Sequence, residues 1–319
     1  MRLPAFGAGL ALAGLASTAL AQAPAPSPSP SPTPKPFILE VEVYVVSVTA
    51  VVFDKGGHFV KGLGAKDVTV LEDGVPQELT YFREAGEGEE KIPLSVVLVL
   101  DASGSMKNNL HFLQEAAQSF IHKLEEIDSA LVVQFNETIK GSAEFSSDLD
   151  RLDEFIDALQ AWGGTSLYDA VHYGLGRVKD QPGRKAVVVF TDGADTTSRM
   201  GEQEVVDYAR AVEATVYGIG FKGDGYGGSP RGFLKKISSE TGGSFFAPDN
   251  VADLIKIFAE ISKELHNHYA FAYSPKRSPD GSWRTIQVKV DRKDAEVRVR
   301  KGYFAVKRRR PPSPRPASP

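Results

Sequence analysis

The 319-residue chain has no cysteine. No disulfide framework, thiolate metal site or cysteine nucleophile can be written for it, so its fold must stand on a buried apolar core. Histidine is scarce, at 6 residues, and no HExxH pattern occurs, which removes the usual helical zinc-hydrolase arrangement. Excess positive charge is lacking too. Lysine plus arginine total 37 against 41 acidic residues, a formal net charge of −4, which argues against a broad nucleic-acid surface. Beyond residue 21 no apolar run approaches the ~20 residues that span a bilayer. The 42% apolar content is nevertheless enough for a proper core.

The two ends differ in composition from the middle. Residues 1–21 combine one basic residue, an apolar Leu/Ala/Gly run and a terminal Ala-Leu-Ala, the pattern of a cleaved secretory signal. The alternative is an uncleaved membrane anchor, although the run is short for a span. The expectation is a secreted or periplasmic protein with no transmembrane span in its mature chain. Residues 22–36 alternate proline with small polar residues and read as an extended linker. Residues 306–319 hold Lys307, Arg308, Arg309, Arg310 and Arg315 among five prolines, a basic disordered tail. Such a tail is either simply solvated or makes a weak electrostatic envelope contact with anionic headgroups or polysaccharide.

Between the ends, residues 37–90 carry strand and turn chemistry: an apolar β-rich run over 38–54, then strands over 68–71 and 77–82 separated by Glu72-Asp73-Gly74. At Ile92 the pattern changes. Leu94-Ser-Val-Val-Leu-Val-Leu-Asp101 is the near-continuous apolar run of a parallel strand covered on both faces. Leu110, Leu113, Ala117, Phe120, Ile121 and Leu124 then recur at helical spacing. The alternation continues with strands over 130–135, 138–145 (an edge), 185–191, 214–220 and 243–247. Helices fall over 148–160, 166–179, 202–212, 230–239 and 250–265. Strands alternating with helices predict a doubly wound, mostly parallel α/β sheet over 91–266. Residues 267–305 return to β chemistry without helices. The two β segments are expected to pair as one small β-sandwich-like domain with the α/β unit inserted between them; the alternative is two separate β appendages.

The chemistry-bearing residues fall at strand ends. Asp101-Ala102-Ser103-Gly104-Ser105 closes the first parallel strand, so one tight loop can aim a carboxylate and two hydroxyls at a common point. Alone the pattern is weak, since average usage supplies it by chance in about one chain in ten of this length. Two further loops strengthen it. Gly163-Gly164-Thr165-Ser166 precedes a helix, and Thr191-Asp192-Gly193 ends another apolar strand, which delivers Asp192 to the same sheet edge as Asp101. Helix capping and turn stabilisation without metal is the alternative use of these residues.

Asp-Ala-Ser-Gly-Ser, then Gly-Gly-Thr-Ser, then Val-Val-Val-Phe-Thr-Asp-Gly resemble the von Willebrand factor type A family over about residues 92–265, and the flanking turns resemble a secreted bacterial branch of it. The resemblance implies a Rossmann-like domain with a metal-ion-dependent adhesion site. In it Ser103, Ser105 and Thr165 would be hydroxyl ligands of Mg²⁺ (Mn²⁺ or Ca²⁺ as substitutes), with Asp101 and Asp192 binding directly or through water. It further implies that an Asp or Glu of a partner protein completes the coordination, and that the last helix, 250–265, moves between states. Other readings stay open at this stage. One is a structural scaffold whose metal braces loops; another is a metal-assisted hydrolase, which the sequence disfavours because Ser103 and Ser105 lack a Gly-x-Ser-x-Gly context. The expectation is a protein-binding module and not an enzyme. His266, His268 and Glu264 read as helix-end polar residues rather than zinc ligands. Trp162 reads as loop packing or rim, and the glycine-rich stretch 221–232 as a loop on the same face.

Overall fold

The computed structural model describes residues 44–85, 91–221 and 229–306. The signal, linker and basic-tail readings, the strand chemistry over 38–43 and most of the 221–232 loop lie outside the described residues. In chain order the elements begin with β1 (Val46–Phe53), β2 (Val68–Glu72), β3 (Val75–Gln77), β4 (Leu79–Glu84) and β5 (Leu94–Asp101). There follow α1 (Leu110–Ile121), β6 (Ser129–Phe135), β7 (Ile139–Gly141), α2 (Leu149–Asp157), α3 (Leu167–Val178), β8 (Arg184–Thr191), α4 (Glu202–Val212) and β9 (Thr215–Gly220). Last come α5 (Arg231–Thr241), β10 (Phe245–Phe246), α6 (Leu254–His266), β11 (Tyr269–Tyr273), β12 (Trp283–Val290), β13 (Glu296–Val299) and β14 (Gly302–Phe304).

The central six-stranded sheet has the order β10-β9-β8-β5-β6-β7, parallel except for the antiparallel edge pair β6 and β7. Every residue of β5 is buried, which is why its sequence does not alternate. Its side chains divide with the two-residue period of a strand. Val96, Leu98 and Leu100 pack with α1, α2 and α6; Val97 and Val99 pack with α3, α4 and α5 on the other face. Gly174 of α3 sits where a Cβ would come 2.9 Å from Val99 Cγ2, so this helix lies close on β5 because the residue has no side chain. The expected doubly wound sheet is present. Its edge is shorter than the 138–145 expected, because past Gly141 the Ser142 side chain substitutes for a carbonyl, its Oγ accepting from Val132 N at 3.1 Å.

The chain on either side of this unit builds two further antiparallel sheets, ordered β13-β1-β11-β4 and β14-β12-β2-β3. Both mix strands that precede the α/β unit with strands that follow it. β1 pairs with β11 from Val46↔Tyr273 to Ala50↔Tyr269, and β2 pairs with β12 from Glu72↔Ile286 to Val68↔Val290. Val46, Val48, Ala50, Val70, Phe271 and Ile286 share one core between the sheets. The single strand expected over 77–82 is divided: β3 lies in one sheet and β4 in the other, with Glu78 at the crossing. Pro76 lacks a ladder donor, which suits β3 to an edge.

That core also holds a charged pair. Arg284 is fully buried and Glu72 is 3% exposed. Arg284 Nη1 donates to Glu72 Oε1 at 3.2 Å, while the Tyr273 and Tyr303 hydroxyls donate to Glu72 Oε2 at 2.9 and 2.7 Å. Nη1 and Nη2 also donate to the carbonyls of Arg277 (3.1 Å) and Ser278 (2.5 Å), while the buried Nε has no partner among the described residues. A single carboxylate thus ties β2 and β12 of one sheet to β11 of the other. Breaking such a pair from one side strands a buried charge. Arg284→Ala is expected to lower stability by about 3–5 kcal/mol, and Tyr273→Phe by about 1 kcal/mol. Urea unfolding checks both; an Arg284→Ala midpoint equal to wild type contradicts this account.

Candidate metal centre

Strand order explains where the site lies. From β5 the chain proceeds to β6 and β7 on one side, then returns to place β8 on the other. The loops leaving the carboxyl ends of β5 and β8 therefore diverge, opening a crevice between two adjacent strands. Asp101 ends β5 and Asp192 directly follows β8, with Leu100 opposite Phe190 in register.

Asp101 is fully buried. Its Oδ1 accepts from Ser103 N at 2.8 Å and its Oδ2 accepts from Thr191 Oγ1 at 2.6 Å. Ser103 stands in extended conformation just before a 3-10 turn, Gly104–Asn108, and the turn is anchored beneath by buried Met106. Ser103 Oγ and Ser105 Oγ are 3.1 Å apart, and Ser105 Oγ donates to Asp192 Oδ1 at 2.7 Å. The Asp101 and Asp192 carboxylates are thereby linked through two hydroxyls and the Ser103 amide.

The third loop is bound to the first by its backbone. Trp162 N donates to Ala102 O and Gly104 N to Gly163 O, both at 3.0 Å. Gly163 has φ +70°, a conformation that residues with a Cβ rarely adopt. Thr165 follows, 6% exposed. Its amide donates to Thr196 Oγ1 at 2.9 Å, and its carbonyl accepts from the amides of Thr196 and Thr197 at 2.8 and 3.2 Å. The backbone of Thr165 is thus fully engaged, whereas its hydroxyl has no hydrogen-bond partner among the described residues. That hydroxyl lies 3.7 Å from the position a Cβ on Gly193 would take, beside Asp192.

Asp101, Ser103, Ser105, Thr165 and Asp192, drawn from three loops, are therefore brought together. Sequence reasoning did not single out the residues that hold them. Thr191 fixes the Asp101 carboxylate. Thr196 and Thr197 fix the Thr165 loop, and Asp195 Oδ1 accepts from Tyr168 N at 3.2 Å and from Ser198 Oγ at 2.5 Å at the start of α3. The run Asp195-Thr196-Thr197-Ser198, four short oxygen-bearing side chains, was the available signal. His266, His268 and Glu264 do not converge. His266 Nδ1 donates to Ser262 O at 2.7 Å, while Glu264 accepts from Ser244 Oγ at 2.7 Å and from Arg298 Nη1 at 3.0 Å. Among the described residues no group of three or more His, Cys, Asp or Glu is placed to hold a metal. Trp162 is 46% exposed at the rim, and His122 is paired with Asp153 at 2.8 Å.

Two buried carboxylates here have no cationic side chain as a salt-bridge partner among the described residues. Burial pushes the Asp101 carboxyl up to about 6; hydrogen bonds from Thr191 and Ser103 oppose the rise and the like charge of Asp192 adds to it. Burial also raises Asp192, against the Ser105 hydrogen bond. An all-oxygen donor set of two carboxylates and three hydroxyls, short of positive charge, fits a hard divalent cation. In chelator, the folded state holds a proton on Asp101 that the unfolded chain releases above its ordinary pKa of 3.8. Stability should therefore fall as pH rises from 4 to about 6, by about 3 kcal/mol if Asp101 acts alone. Asp101→Asn should remove that component, as urea unfolding across the range will register; parallel pH profiles for the two proteins contradict it.

The family model for the von Willebrand factor type A domain matches residues 95–260, more than half of the chain. Uncharacterized protein sll0103 of Synechocystis is 26% identical over 213 residues, 62% of this chain and 49% of its own length. A Borreliella burgdorferi protein is 25% identical over 228 residues, covering 62% of each. Inter-alpha-trypsin inhibitor heavy chain H4 of Sus scrofa is 24% identical over 64% of this chain and 24% of its own. The chain thus spans about half to three-fifths of the length of the first two relatives. Among solved structures, a von Willebrand factor type A protein from Catenulispora acidiphila overlaps at TM-score 0.48 and 14% identity, over 80% of this chain and 71% of the other. The vWF domain of the type V pili tip protein Mfa5 from Porphyromonas gingivalis overlaps at TM-score 0.47 and 14% identity, over 55% and 95%.

Proposed function

The chain belongs to the von Willebrand factor type A domain family, and on that footing we propose that it is an exported, metal-dependent protein-binding module and not an enzyme. Domains of this family generally mediate protein interactions. The observation that supports a metal-dependent mode is the pair of buried carboxylates linked by hydroxyls, with Gly104 and Ser105 exposed at the crevice mouth. Asp101, Ser103, Ser105, Thr165 and Asp192 would hold Mg²⁺, with Mn²⁺ or Ca²⁺ as substitutes. The bound cation would supply an electrophilic centre for an Asp or Glu carboxylate of a partner protein, because three of the five site ligands are neutral hydroxyls.

The chain's own residues would do the rest. Thr191 and Ser103 N hold the Asp101 carboxylate in one orientation. Ser105 holds Asp192. The Thr196 loop positions Thr165 through its backbone and leaves its hydroxyl available. Trp162 and Glu137, exposed beside Gly163, border the approach. Export rests on the amino-terminal 21-residue pattern.

The test is capture from an envelope extract of the source cell, by wild type and by Thr165→Ala and Asp101→Ala, each with Mg²⁺ and with EDTA. Capture of a defined partner set by wild type in Mg²⁺ alone, lost in both variants while circular dichroism is unchanged, is the expected result. Identical partner sets in all arms would sink metal-dependent binding. Unchanged capture together with a lower melting temperature in EDTA would assign the cation to loop bracing instead.

A further inference from the structure

At the end of the α/β unit away from the metal centre, the first residues of β8 and β9 and the last residues of α4, α5 and α6 face the outer surface of the β13-β1-β11-β4 sheet. A cavity of about 350 Å³ lies between them. It exists because the wall supplied by that sheet carries small residues, Ser47, Thr49, Ala270 and Ala272, at the positions turned toward the α/β unit. The volume is within the range of small-molecule sites, about 300–1,000 Å³.

Four cationic side chains border the cavity, and three are committed. Arg210 is bound to Asp207 at 2.7 Å and to Glu240 at 2.9 Å. Arg300 is bound to Glu213 at 2.9 Å and to Ser47 O at 2.9 Å, and its buried Nε has no partner. Lys185 Nζ donates to the carbonyls of Lys179 (3.1 Å) and Val212 (2.9 Å). Arg184 differs. Its Nη1 donates to Leu265 O at 2.5 Å, and among the described residues no carboxylate lies within salt-bridge reach of it. Asp128, on the far side, is occupied by the amides of Leu94 (2.9 Å) and Glu125 (3.0 Å) and faces His266 at 3.5 Å. Burial lowers the Arg184 guanidinium to about 10, against the opposing charge of Asp128, so at neutral pH it stays charged with no carboxylate in direct contact among the described residues. A half-buried guanidinium in this condition favours a bound anion.

The cavity mouth adds a second feature. Tyr81 and Ile92 line it, and both are exposed, at 44% and 41%. An apolar surface next to one uncommitted positive charge suits a ligand with one negative charge and an apolar body. We propose that this cavity binds a small carboxylate bearing an apolar or aromatic group, with Arg184 taking the carboxylate and Tyr81 and Ile92 covering the apolar part. Such a ligand would touch the α/β unit and the β sheets together, so it would stabilise their junction in proportion to its occupancy. The inference is independent of the metal reading.

Benzoate and hexanoate are the probes, with benzyl alcohol as neutral control and inorganic phosphate as a second anion, followed by calorimetry on the full chain. Saturable binding of both carboxylates to wild type is expected, with at least a tenfold weaker Kd in Arg184→Gln and an intermediate Kd in Arg184→Lys. Tyr81→Ala should weaken benzoate and leave phosphate unaffected, and Asp101→Ala should bind benzoate as wild type does. Circular dichroism confirms that each variant is folded. The proposal is overturned by any of three results: no saturable carboxylate binding to wild type, equal binding by Arg184→Gln, or phosphate binding as tightly as benzoate with Tyr81→Ala indifferent. The acidic residues Glu87, Glu89 and Glu90 join Ala85 to Lys91 in the chain. Binding that appears only when all three are changed to glutamine would assign the counter-charge to the chain itself and also overturn it.

Discussion

Two carboxylates placed at the ends of neighbouring strands, in a crevice from which water is largely excluded, resist ionising together unless positive charge is brought to them. Asp101 and Asp192 are in that position, with hydroxyls and amides as their partners. Hydrogen bonds from neutral donors reduce the cost of the charge without cancelling it. The sheet that creates the crevice is itself rigid, since β5 is buried along its whole length and flanked on both faces by helices. The tension at the site is therefore held by the fold and is not relieved by relaxation of the strands. A bound cation would relieve it, and so would a proton, which would make the two competitors for the same place.

The support of the site is also where polar residues are spent most freely. The Thr196-Thr197 turn satisfies the backbone of Thr165, and Asp195 satisfies the first turn of α3. A second polar concentration fastens the other end of the α/β unit. Glu264, near the end of α6, is held by Ser244 and by Arg298 of β13, and Arg298 lies over the Phe53 ring at 4.5 Å. Leu265 is fixed through its carbonyl by Arg184. Four residues later the same chain enters β11, hydrogen-bonded on both sides by β1 and β4. Any displacement of α6 is thus a displacement relative to a paired strand.

What could be read before the structure was known follows from how local each signal is. The unbroken apolar run of β5 and the helical spacing of α1 are local, and they carry the parallel sheet and its layers. The three short motifs are separately local, and the rule that ligands gather at strand carboxyl ends placed them in one crevice. Thr191 was quoted within a motif yet not recognised as the partner of Asp101, because a hydroxyl bond across 90 residues leaves no pattern in either stretch. Glu72 and Arg284 are 212 residues apart, and neither stands out among 78 charged side chains (37 basic and 41 acidic). The division of 77–82 between two sheets turned on Glu78 and Pro76, where strand propensity alone registers a single run.

The pairing of β1 with β11 has a bearing on biosynthesis. Val46 meets Tyr273, so about 220 residues (273 − 53) must be added after the first strand before its partner is complete. At ~5–20 residues per second that is roughly 10–45 s of elongation. The α/β unit, whose strand ladder and two apolar layers lie within 94–266, can build that core within this interval, while the strand edges of β1 and β2 wait exposed. The order of assembly is then fixed by arithmetic: the inserted unit folds first, and the β layers that carry it close around its two ends last.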